Sequence, residues 1–159
     1  VYNRQTLKRR LIPLVRYLTN DIGVILGEKC VCGQEKVLKV IGREQDMLIS
    51  ASVHFTVNSF AGVLAQFPQC SSVFQIKARK QKKVDDIEVV VETKDKIKNN
   101  SMTETEKAIL EKWSEEIPDI PEAVCSGKIG SVEVRLVDPG GLPRSDLSGK
   151  VKRIVDLRQ

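Results

Sequence analysis

The sequence predicts an α+β fold: a mainly antiparallel sheet with two to three helices. Three observations carry that reading. Several short stretches alternate apolar and polar residues, as strands with one buried face do. Between them lie segments whose apolar residues recur at helical spacing. The composition, 41% hydrophobic but only 4% aromatic over 159 residues, provides a core made largely of Val, Ile and Leu. From Met47 to Val137 the order is strand, helix, strand, strand, helix, strand, which is the ferredoxin-like, split βαβ arrangement (residues 47–137). A β-sandwich or barrel with helical additions is the alternative. The length suits a single domain, 1–159. It would comprise an N-terminal amphipathic helix over about 4–20, a core over about 22–137, and a C-terminal loop and strand over 138–159.

Each element has its own signal. Leu7, Leu11, Leu14, Val15 and Leu18 fall on one helical face and predict a helix from Arg4 to Asn20, interrupted at Pro13. Ile22 to Leu26 and Lys36 to Ile41 suit two strands, with Gly27 and Gly33 bracketing the turn between them. Met47 to Val57 alternates without interruption and predicts one continuous strand. Asn58 then caps a short helix through Phe60, Val63, Leu64 and Phe67, stopped by Pro68. Phe74, Ile76 and Ala78 face Ile87, Val89 and Val91 as the two arms of a hairpin that turns between Arg79 and Asp86. Ser101 with Glu104, or Thr103 with Glu106, offers a capping box for a helix whose apolar face is Ile109, Leu110, Trp113 and Ile117. Lys128 to Val137 alternates again, DPGGLPRSDLSG is a loop, and Lys150 to Leu157 predicts the last strand.

The formal charge is +5 and unevenly spread: +5 over residues 1–42, +2 over 43–100 and −2 over 101–159. A basic chain favours negatively charged partners. Lys77, Arg79, Lys80, Lys82 and Lys83 put five cations into seven residues at the hairpin tip, where flexible ammonium groups can neutralise phosphates. Arg9, Arg10 and Arg16 lie away from the leucine face of the first helix. These eight residues form the expected polyanion-binding set. The function they predict is a non-enzymatic, basic binding protein that engages RNA or DNA, largely non-specifically, or an acidic protein. An anionic membrane is a weaker match, because the first helix lacks Trp or Phe on its apolar face. The alternative is a structural or assembly protein, of a viral particle or multisubunit complex, that forms homo-oligomers through that leucine face or through an exposed sheet edge.

Catalytic patterns are missing. No Walker loop, G-x-G-x-x-G, G-x-S-x-G or H-E-x-x-H is present. His54 stands on the polar side of its strand, and Cys30, Cys32, Cys70 and Cys125 lack zinc-knuckle spacing, so neither a catalytic residue nor a metal or other cofactor is expected. The phenylalanines fall on core faces, which leaves base stacking poorly supported. No run reaches the roughly 18 apolar residues of a membrane span, and no signal-peptide pattern opens the chain. An intracellular, cytoplasmic protein is therefore expected.

Overall fold

A computed structural model describes residues 3–4, 17–27, 29–33, 36–96 and 99–158. They form two compact units, one ending at Asp46 and the other beginning at Met47. In the first unit β1 (Asn3–Arg4) pairs antiparallel with β2 (Tyr17–Leu18), and β3 (Asp21–Leu26) with β4 (Val37–Arg43). The helix expected from Arg4 to Asn20 thus has strand at both of its ends. Residues 5–16, with Arg9, Arg10 and Arg16, lie outside the described residues. The β3–β4 ladder closes with Asp21 opposite Arg43, whose Nε stands 3.3 Å from the carboxylate. Gly23 sits at a register shift in this pair. A Cβ there would come within 2.7 Å of the Lys39 carbonyl oxygen, so the close approach of the two strands requires glycine.

The second unit opens with a hairpin, β5 (Met47–Ser50) and β6 (Val53–Thr56), in place of the single strand read from the alternation. Ala51 and Ser52 take left-handed φ values of +46° and +70°. A two-residue hairpin turn demands such angles, at a cost of about 1 kcal/mol for each non-glycine residue. The turn also changes which residues point inward. Leu48 and Ser50 are buried before it and Val53 and Phe55 after it, while Ile49 is 49% exposed. Helix α1 (Val57–Leu64) follows. Its cap is Thr56, whose Oγ1 accepts from the Ser59 amide at 3.1 Å, two residues earlier than the expected Asn58.

β7 (Cys70–Gln81) and β8 (Val84–Thr93) form the long antiparallel hairpin, turning at Lys82–Lys83. Helix α2 (Asn99–Glu116) begins before either proposed capping box. Glu106 does not cap it; its carboxylate accepts from the Leu136 amide at 2.7 Å and so ties α2 to the sheet. After α3 (Asp119–Cys125), β9 (Ile129–Val137) pairs parallel with β8, and β10 (Ile154–Leu157) pairs parallel with β7. The result is a four-stranded mixed sheet ordered β10-β7-β8-β9. The α+β class stands. The strand order differs from the ferredoxin-like one because Met47–Thr56 pairs with itself outside this sheet.

One face of the sheet carries Phe74, Ile76, Ala78, Ile87, Val89, Val91, Val132, Val134 and Leu136 against the three helices and the β5–β6 hairpin. Trp113 lies at the centre, 5.4 Å from the Phe55 ring and 4.8 Å from Phe60 between centroids; Phe60 in turn lies 4.9 Å from Phe74. Rings at these distances and tilts add favourable edge contacts to the area they bury. Part of the other face is polar and yet buried. Gln75 and Glu92 lie there under the segment that joins β9 to β10, and the Gln75 amide donates to the Lys152 carbonyl at 2.7 Å. No described helix is long and apolar enough to cross a membrane.

Candidate functional site

Of the eight cations expected to bind a polyanion, the described residues include five, and their placement weakens the reading. β7 and β8 run almost to the tip, so the basic residues stand opposite acids: Lys77 opposite Glu88, Arg79 opposite Asp86 and Lys80 opposite Asp85. Glu88 lies among three cations, with Lys77 Nζ at 3.9 Å, Arg79 Nη2 at 3.7 Å and Arg135 Nε at 3.5 Å. Only Lys82 and Lys83 occupy the turn itself, both exposed. Lys77 and Arg79 thus share one carboxylate with Arg135, whereas Lys80, Lys82 and Lys83 take part in no ion pair among the described residues.

Next to the turn of this hairpin Asp85 joins a second network. Its Oδ2 accepts from Ser50 Oγ at 2.7 Å and from Arg158 Nη1 at 2.9 Å. The same guanidinium donates to the Ile49 carbonyl at 2.8 Å and to Asp156 at 2.8 Å. Burial works against ionisation of Asp85. The hydrogen bonds from Ser50 and Arg158, with the charges of Arg158 and Lys80, overcome it and hold the carboxyl below the usual carboxylate range. Asp156 is likewise held low, first by its hydrogen bond from Arg158. Arg158 thereby fixes the β5–β6 hairpin against β8.

The more organised basic site lies where the sequence predicts a loop and the start of the last strand. Between β9 and β10 the chain makes an excursion pinned from below by Glu92, whose residue is only 3% exposed. Glu92 Oε1 accepts from the Leu142 amide at 3.0 Å and from Arg144 Nη1 at 3.2 Å, and Oε2 accepts from Arg144 Nη2 at 3.0 Å. Leu142 is buried beside this pair. Above it Arg144 bridges to Val151. The Ser145 amide donates to the Lys150 carbonyl at 3.0 Å, and the Gly149 amide to the Ser145 carbonyl at 2.8 Å. Gly149 holds φ +64°, which places Lys150 at the return of the loop. Arg153 lies over the Phe74 ring at 4.5 Å and donates to the Ser72 carbonyl at 2.7 Å. Arg144, Gly149, Lys150, Val151 and Arg153, with Val73, line a cleft of about 540 Å³. Both guanidinium groups are held by protein acceptors, whereas Lys150 is exposed and its ammonium takes part in no ion pair among the described residues. The cleft thus offers a mobile positive charge on a fixed loop, a fit for a phosphate or carboxylate. The sequence signal was the pair Gly149–Lys150 with Lys152 and Arg153 close behind, but the carboxylate that organises it lies about fifty residues upstream.

Among the described residues no three His, Cys, Asp or Glu side chains converge as a metal site. Cys30, Cys32, Cys70 and Cys125 are free thiols, and His54 is exposed on β6.

Residues 58–158 match the family described as AMP-binding enzyme C-terminal domain, and the chain belongs to that family. It is 29% identical over 168 residues to phenylacetate-coenzyme A ligase of Thermus thermophilus, covering 97% of this chain and 36% of that protein. It is 27% identical to phenylacetate-coenzyme A ligase of Escherichia coli, covering 96% and 32%. The chain thus spans about a third of the length of these curated relatives. Among solved structures, a domain of phenylacetate-coenzyme A ligase from Bacteroides vulgatus shares the fold, with a TM-score of 0.56 and 23% identity over 72% of this chain and 95% of that one.

These findings correct the expected function. A non-enzymatic protein that binds RNA, DNA or an acidic protein is replaced by a domain of an enzyme family, and so is the viral or assembly protein. The physical reason is that net charge does not distinguish a polynucleotide from a small phosphorylated molecule. Three of the cations read as a nucleic-acid surface stand opposite cross-strand acids.

Proposed function

We propose that this chain serves as the C-terminal part of an acyl-coenzyme A ligase, an enzyme that activates a small organic acid with ATP and passes the acyl group to coenzyme A. The observation that carries the reading is the likeness to the Thermus ligase along 97% of this chain. In such a reaction the acid's carboxylate attacks the α-phosphorus of ATP and pyrophosphate leaves. The coenzyme A thiol then displaces AMP from the acyl adenylate. Negative charge builds on phosphoryl oxygens in the first step, and a preorganised cation near them lowers the barrier. The Lys150 cleft supports a role there: its loop is fixed by Glu92, and its ammonium is free to meet an incoming phosphate.

The test is AMP release from ATP, coenzyme A and a panel of acids beginning with phenylacetate, catalysed by the polypeptide that carries this chain. Lys150→Ala is expected to lower the rate by on the order of 100-fold, the effect of removing one well-placed electrostatic group. Its melting temperature should stay unchanged, since Lys150 is exposed. If no acid in the panel yields AMP, the reading is wrong.

A further inference from the structure

A second cavity, sharing no lining residue with the Lys150 cleft, opens between the end of α1 and the start of β7. Its volume is about 300 Å³, at the lower end of the range for small-molecule sites. The space exists for local reasons. Helix α1 stops at Leu64, and Ala61 and Ala65, one turn apart, carry only methyl groups towards it. Phe67 and Pro68 carry the chain around the far side, and Cys70 and Phe74 of β7 complete the apolar wall. That wall is fixed before any ligand arrives. The Phe74 ring has Phe60 on it at 4.9 Å and the Arg153 guanidinium over it at 4.5 Å.

Lys94 stands at the rim, its backbone amide anchored on the Gln69 carbonyl at 3.0 Å. No ion pair joins Lys94 to a carboxylate among the described residues. The nearby Cys70 thiol does not compete for its charge. Burial pushes that thiol's pKa up, with Lys94 only partly opposing the shift, so it stays neutral at physiological pH. The cavity therefore combines a mainly hydrocarbon wall, with the uncharged Ser71 and Ser72 beside Cys70, and a single cation at one edge that no described carboxylate pairs. A phosphate group would call for several donors, and a neutral hydrocarbon would leave Lys94 without a role. We propose that this cavity binds a small apolar carboxylic acid, its hydrocarbon body against Ala61, Ala65 and Phe74 and its carboxylate paired with Lys94. The proposal goes beyond the ligase reading and does not depend on it.

Phenylacetate titrated into the 159-residue chain tests this, read by the methyl resonances of Ala61 and Ala65 in carbon-13 spectra. Saturable shifts of both methyls are expected, with a dissociation constant in the low millimolar range, on the order of what a ligand of this size achieves. Lys94→Gln, at an exposed position that leaves the fold intact, should weaken binding about fivefold, as should replacing the acid by phenylacetamide, because each removes one partly screened ion pair. Ala65→Leu, which fills the space, should abolish the shift of the remaining Ala61 methyl while the Trp113 emission confirms a native core. Three results would overturn the proposal. They are an absence of saturable shifts, equal affinity in the Lys94→Gln chain, or phenylacetamide binding as tightly as phenylacetate.

Discussion

The tip of the β7–β8 hairpin and the loop between β9 and β10 are both rich in lysine and arginine, but the chain holds them in opposite ways. At the tip the cations are close in sequence, and three of them stand opposite acids across the ladder. In the loop the cations are more scattered in sequence, and a single buried carboxylate holds one of them, Arg144, together with the Leu142 amide. The first arrangement yields a soluble turn that resists edge pairing. The second yields a defined cleft with one free ammonium. Clustering along the chain is therefore a poor guide to a site; what matters is whether something buried fixes the geometry.

The contrast can be broken most strongly at Glu92. Glu92→Leu leaves the Leu142 amide without its acceptor and Arg144 without its partner, so a loss of about 2–3 kcal/mol is expected in urea unfolding. An unchanged midpoint would show that the carboxylate is not what holds the loop. Arg144→Lys tests the forked geometry alone. It keeps the charge but loses one of the two parallel bonds, which should cost about 1 kcal/mol and speed hydrogen exchange at the Leu142 amide more than within β8.

Acid acts on the base of the tip. Asp85 and Asp156 have folded-state pKa values below their unfolded ones, so the stability they contribute is present above the unfolded value of about 4 and is lost as pH falls through the folded values. Melting temperature should decline below about pH 4, and Asp85→Asn should flatten part of that decline. A curve identical to the parent's would remove Asp85 from the account. The smallest effect is expected at the tip itself. Replacing Lys80, Lys82 and Lys83 together with Gln should shift stability by no more than about 0.5 kcal/mol and leave AMP release in the assay of the proposed function unaltered. A large fall in turnover would restore the tip as a working surface.

How much of this was legible beforehand varies with the range of the interaction concerned. β7, β8, β9, α1 and the apolar face of α2 follow from periodicity, because one-sided burial imposes it directly on the chain. The break at Ala51–Ser52 was hidden: neither residue is a usual left-handed turn former, and the alternation runs on through them although the inward parity changes. The leucine spacing from Leu7 to Leu18 predicts a helix, whereas Asn3–Arg4 and Tyr17–Leu18 pair as strands, a contact that a local pattern does not register. The last strand begins at Ile154 and not at Lys150, because the preceding residues belong to the cleft. That cleft was out of reach of local reading. Its anchor, Glu92, looks in sequence like any polar residue of an alternating strand.

The placement of the rare aromatic residues has an optical consequence. The only tryptophan, Trp113, lies sealed between Phe55 and Phe60 in the unit that begins at Met47, while both tyrosines, Tyr2 and Tyr17, belong to the segment ending at Asp46. Light absorbed by the indole alone interrogates one unit, and phenol emission interrogates the other. A single cuvette, without any label, can thus record whether the two lose their structure together or in turn.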